Sequence, residues 1–118
     1  MNRRATKAAE SPELRRLRQR IDALDRRIVA LLNERAELAR ETGRAKAAGG
    51  RRVIRDAERE REVLLRVTMA NAGPLRQADL LVLYRRLMVA TRALEARDRE
   101  RDRARAAEPP GGGGADVD

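Results

Sequence analysis

From Leu14 the apolar residues Leu17, Ile21, Leu24, Ile28 and Leu31 recur at alternating spacings of three and four. That period marks a helix carrying a narrow seam meant for another helix. Just ahead, Ser11-Pro12-Glu13 reads as a helix start, with Ser as N-cap, Pro at the first helical position and an acid in the first turn. The pattern runs to about Ala47 and stops at Gly49-Gly50, which predicts a helix of roughly 35 residues, about 50 Å long. So long and thin a stripe is expected to bury itself against a second chain.

Gly49-Gly50-Arg51-Arg52 reads as a loop. A second helix is predicted from about Arg55 to Ala70, with Val63, Leu64 and Val67 facing inward, ended by Asn71-Ala72-Gly73-Pro74. A third starts near Gln77, carries Leu80, Leu83, Tyr84, Leu87 and Met88, and runs through Arg97 toward alternating charges. Pro109-Pro110 and the glycines after them predict a disordered tail. The expected fold is all-α: three helices, long, short and long, in an intertwined homodimer. The expected divisions are an N-terminal tail at 1–10, a helical domain at 11–97, and a charged then Pro/Gly-rich tail at 98–118.

Composition narrows the chemistry. There is no cysteine and no histidine, which excludes disulfides, thiol or imidazole nucleophiles and the usual zinc sites. No apolar run is as long as a membrane span, and the first residues lack the apolar segment of a signal peptide, so a cytoplasmic protein is expected. The net charge is +9; residues 1–10 carry +2 and residues 96–118 carry −1, so the excess lies on the helical part. Such a body attracts anions, although a solvated basic face would account for most of its arginines.

The informative polar residues stand where apolar ones are due. One step past Leu31 the seam lands on Arg35, and a buried charge is costly unless it is paired or meets a ligand. Lys46 follows Arg35 by eleven residues, a turn of within about 20° and a rise of about 16 Å, so the two cations share a face. Of the 28 basic residues only Lys7 and Lys46 are lysines. A lysine kept inside an arginine-writing chain suggests a need for a point charge that aims one proton at one oxygen, where a guanidinium fork grips a carboxylate.

Arg18 precedes Arg35 by seventeen residues, about 100° around the helix and about 25 Å away. It cannot serve the same small ligand from the same helix, but in an antiparallel dimer it can serve the partner's site. On the second helix Asp56, Arg59 and Glu60 are expected on one face in line with Val63; a salt-bridged first turn is the plainer reading. On the third, the inward stripe passes through Tyr84, Leu87 and Met88 to Thr91 and Glu95, which also fits a helix simply emerging into solvent. Together these residues describe a polar, cation-rich pocket for a small ligand bearing carboxylates and a hydroxyl.

The same residues carry a family resemblance. LRQRIDALD at 17–25, Glu34-Arg35, GRAK at 43–46, VIRDAEREREVL at 53–64 and TRALE at 91–95 resemble the all-helical, AroQ-type chorismate mutases over roughly residues 14–97. The resemblance implies an intertwined homodimer of three-helix chains. It implies a Claisen rearrangement of chorismate to prephenate without cofactor or metal. It further implies that Arg35, with Arg18 of the other subunit, clamps two substrate carboxylates, and that Lys46 donates to the ether oxygen. Asp56 and Glu60 would address the ring hydroxyl, Arg59 the charge network, and Thr91 the carboxylate end. Glu95 stands where bacterial members often have Gln, so it must be protonated to act as second donor.

Two rivals belong to the same family. A 4-amino-4-deoxychorismate mutase would place an ammonium near Asp56 and Glu60, which acids tolerate. An isochorismate-pyruvate lyase fits less well, because those enzymes resemble this pattern without the Glu60 acid. Outside enzymes, a basic coiled-coil module binding nucleic acid or a protein helix would explain the heptads and high pI. The inward placement of the cations and the acids mixed among the exposed ones argue against it, so neither nucleic acid nor membrane is expected as a partner.

Overall fold

The computed structural model describes residues 10–50 and 55–109. Three helices occupy them: α1 (Pro12–Ala48), α2 (Ala57–Ala70) and α3 (Gln77–Ala107). The described residues hold no strand, so the all-α reading stands. The tails predicted before residue 10 and after residue 109 lie outside the described residues, as does Arg51-Arg52 of the first loop.

The ends of α1 follow the sequence signals. Ser11 Oγ accepts from the Leu14 backbone N–H at 3.1 Å, satisfying one of the first turn's free donors. At the other end Gly49 and Gly50 donate to the Ala45 and Ala47 carbonyls at 3.1 and 3.0 Å, and Gly50 takes φ +89°, a left-handed stop that glycine adopts without strain. Lys46 lies in the last turn, where the helix dipole favours a cation.

The chain divides into two units, one up to Leu38 and one from Ala39 on. In the first, the predicted seam is exposed: Leu17 46%, Ile21 55%, Leu24 51%, Ile28 50% and Leu31 56%. Arg18 there pairs with Glu10.

The second unit holds the last turns of α1, with α2 packed on α3. Met88 is its buried residue, at 6% exposure; Val63, Leu64, Val67, Tyr84 and Leu87 are partly covered, as their spacing predicts. Leu83, off that stripe, is 57% exposed. Between α2 and α3 the Asn71 side chain accepts from Gly73 N–H at 2.9 Å and donates to the Leu75 carbonyl at 3.1 Å. Gly73 takes φ +81° ahead of a cis Pro74.

One boundary differs from expectation. α2 begins at Ala57 because Asp56 is its N-cap: the backbone there is extended (φ −117°, ψ 94°) and the carboxylate accepts from Arg59 N–H. α3 runs through Arg97 into the alternating charges, as expected, and ends at Ala107. Pairs such as Arg101 with Asp98, three residues apart, support a helix that has no apolar face to bury.

Candidate active site

Of the expected site residues in the second unit, Lys46 and Glu95 come together where the end of α1 meets α3. A cavity of about 500 Å³ opens there, with Arg40, Gly43, Arg44 and Lys46 from α1 and Glu95, Asp98, Arg99 and Arg105 from α3 among its walls. Cations outnumber acids on it, so its field favours an anionic occupant.

Lys46 and Glu95 share this cavity, as the sequence predicts. Lys46 Nζ is 3.9 Å from Asp56 Oδ2, with the two side chains 23% and 30% exposed. At that distance and exposure the pair is a loose contact that leaves the ammonium's protons available to a ligand. Glu95 is held above the ordinary carboxylate range: burial raises it, and the Lys46 charge, the largest opposing influence, pulls the other way without cancelling it. Desolvation disfavours the anion, so the protonated form survives to higher pH than in an exposed glutamate.

Asp98, one helical turn beyond Glu95, behaves oppositely. Arg40 grips it with two parallel bonds, Nε to Oδ2 at 2.9 Å and NH2 to Oδ1 at 3.1 Å. Burial opposes ionisation, but the hydrogen bonds from Arg40 and Arg101 outweigh it and hold the carboxyl below its usual range. Spacing alone gave no sign of Arg40 or Asp98. The one available signal was Asp98's place three residues after Glu95, continuing the stripe through Thr91.

The remaining candidates are placed as follows. Glu60 faces Arg55 at 3.6 Å and pairs with Arg92, an arginine the sequence reading passed over although it adjoins Thr91. Arg59, expected on the inner face, instead pairs with Glu62 at 3.0 Å on the exposed side, because an acid three residues on is within reach in the same helix. Thr91 Oγ1 bonds back to the Leu87 carbonyl at 2.9 Å. Arg18 and Arg35 belong to the first unit, where Arg18 is exposed and Arg35 partly buried.

A helical chain whose cation-lined cavity joins Lys46 to a partly buried glutamate, with no His or Cys in its sequence, has the make-up of a site for a small anion. Comparison with known proteins makes it specific. Residues 17–96 match the family model for chorismate mutase type II, and the chain belongs to that family. It is 38% identical over 88 residues to the intracellular chorismate mutase of Mycobacterium bovis, covering 74% of this chain and 79% of that protein. It is 40% identical over 91 residues to the bifunctional chorismate mutase/prephenate dehydratase of Stutzerimonas stutzeri, and 48% identical over 68 residues to that of Escherichia coli K12. The chain spans 25% and 17% of the length of those two bifunctional relatives.

Proposed function

We propose that this protein is a chorismate mutase, converting chorismate to prephenate in the cytoplasm within a helical domain at residues 11–97. The observation that carries the reading is the meeting of Lys46 and a proton-retaining Glu95 on one cation-lined cavity in a chain of this family. In the rearrangement an ether C–O bond breaks as a C–C bond forms within one molecule, so no nucleophile, proton abstraction or cofactor is required. The protein's task is to hold a flexible dianion in its folded conformer and to stabilise the negative charge growing on the ether oxygen. Lys46 supplies a compact donor to that oxygen, and protonated Glu95 a second.

The carboxylate clamp is completed by a second copy. Arg35 acts from its own chain, Arg18 from the partner, and the exposed α1 seam supplies the interface between them. Asp56 and Glu60 address the ring hydroxyl, Arg59 supports the charge network and Thr91 lines the carboxylate end. Glu60 is already offset by Arg55 and Arg92, which leaves little acidity to greet an ammonium, so chorismate is favoured over its 4-amino analogue.

The test is turnover of chorismate, followed by loss of its ultraviolet absorbance, beside 4-amino-4-deoxychorismate, in wild type and Lys46→Arg. Preferential turnover of chorismate that falls in Lys46→Arg is expected. Absence of turnover, or preference for the amine, overturns the assignment.

A further inference from the structure

Gly43 lies inside α1, where neither a turn nor a left-handed φ requires a glycine. A glycine in a helix interior is unfavourable relative to alanine, so the backbone does not explain it. What crowds the place of its missing side chain is Glu95: a Cβ at residue 43 would stand 3.3 Å from Glu95 Oε2 and 3.9 Å from its Cδ. The nearer contact is tight enough that the carboxyl would have to give way by a few tenths of an ångström.

We propose that Gly43 is a positioning residue for Glu95, its missing side chain forming the seat that keeps the carboxyl against α1 on the wall of the Lys46 cavity. The inference deepens the proposed mutase reading, since it rests on Glu95 acting as a donor there. The neighbouring contacts support the seat. The Arg40–Asp98 clamp joins the residue three before Gly43 to the residue three after Glu95, and so fixes α3 against α1 one turn from the contact.

The charges around Glu95 do not by themselves keep it protonated. Lys46 from α1 and Arg92 and Arg99 from α3 favour the anion, while Asp98 opposes it; burial nevertheless dominates. Arg40 and Arg44 add positive charge to the same cavity, and from the start of α2 Asp56 approaches Lys46. The seat supplies burial that this cationic surround would otherwise defeat. Filling it pushes the carboxyl a few tenths of an ångström off α1, thinning its cover and lowering its titration toward the ordinary range.

The experiment uses the full chain with Gly43→Ala, Gly43→Val, Glu95→Ala and the Gly43→Ala/Glu95→Ala double variant. The carboxyl of Glu95 is titrated by carbon NMR, assigned against Glu95→Gln, which needs no turnover. Gly43→Ala is expected to melt at or above the wild-type temperature while Glu95 titrates at lower pH. Its kcat falls severalfold with little change in KM, and Gly43→Val loses on the order of 100-fold, as displacements approaching an ångström do. In the Glu95→Ala background, adding Gly43→Ala changes nothing further. An unmoved Glu95 titration in Gly43→Ala, or an equal loss of activity with and without the Glu95 side chain, overturns the proposal. Should wild type fail to turn over chorismate, the mutase reading falls while the titration still decides whether Gly43 seats Glu95.

Discussion

The two units of this chain are finished to different degrees. From Ala39 on, charges find partners far away in sequence, Arg40 with Asp98 and Glu60 with Arg92, around a packed Met88. Up to Leu38, Arg18 pairs with nearby Glu10, and a seam of leucines and isoleucines stays about half exposed. At about 25 cal/mol per Å² of apolar surface removed from water, covering such a seam is a strong drive to associate. One unit is written for its own chain, and we read the other as written for a second copy.

The largest expected effect comes from a charge in the seam. Ile28→Glu forces a carboxylate into the proposed interface at a cost of several kcal/mol, so the dimer and all turnover should be lost on sedimentation and assay. Leu65→Glu, at an apolar residue 61% exposed on α2, should preserve both. Equal damage from the two substitutions would erase the distinction between the units.

Next comes Lys46→Ala, which should keep the dimer yet lower kcat by about 100- to 1,000-fold, the usual loss of one preorganised donor to a developing oxyanion. Lys46→Arg should recover only part of it, because a fork cannot aim a single donor in a closed site. Full activity in Lys46→Arg would mean that the rarity of lysine here is chance.

Glu95→Gln tests the proton. Since Glu95 is raised, its donor form is present at acidic pH and declines as pH climbs through the folded-state value. Wild-type kcat should therefore fall toward neutrality, and Glu95→Gln should flatten the profile. The same shift means that the folded state holds this proton more tightly than the unfolded chain. The stabilisation is full below the unfolded value and is lost as pH rises through the folded one. A profile unchanged in the mutant would remove Glu95 from the reaction.

The smallest effect is at Asp98, with the opposite sign. Its carboxyl is lowered, so its stabilisation is present above the unfolded value and lost as pH falls through the folded one. Asp98→Asn should cost about 1 kcal/mol near neutrality, as a partly exposed bidentate pair does, and the deficit should vanish in acid. A thermal-melt difference that persists at low pH would contradict the pairing.

What the sequence made legible follows from periodicity. Helix starts and stops had chemical signals at Ser11-Pro12, Gly49-Gly50 and Asn71, and α1 and α2 end close to them. The last turns of α3 were harder to read, because a run of alternating charges has no buried face and hence no period. Lys46 stood out by composition, and Glu95 by interrupting an apolar stripe. Arg40 and Asp98 did not, for a salt bridge across 58 residues leaves no local pattern. Gly43 was visible as part of a motif, but its closeness to the Glu95 carboxyl exists only in three dimensions. The pairing of Arg59 with Glu62 was hidden as well, because inward spacing does not register a nearer acid on the same helix.

The most direct test of the account is to mix two inactive variants, Arg18→Ala and Lys46→Ala, and let their subunits exchange. Each mixed dimer would contain one site with both residues intact. Random exchange should therefore restore about a quarter of wild-type activity, as a two-fold interface with two composite sites requires. A mixture as inactive as its components would contradict a site shared between chains.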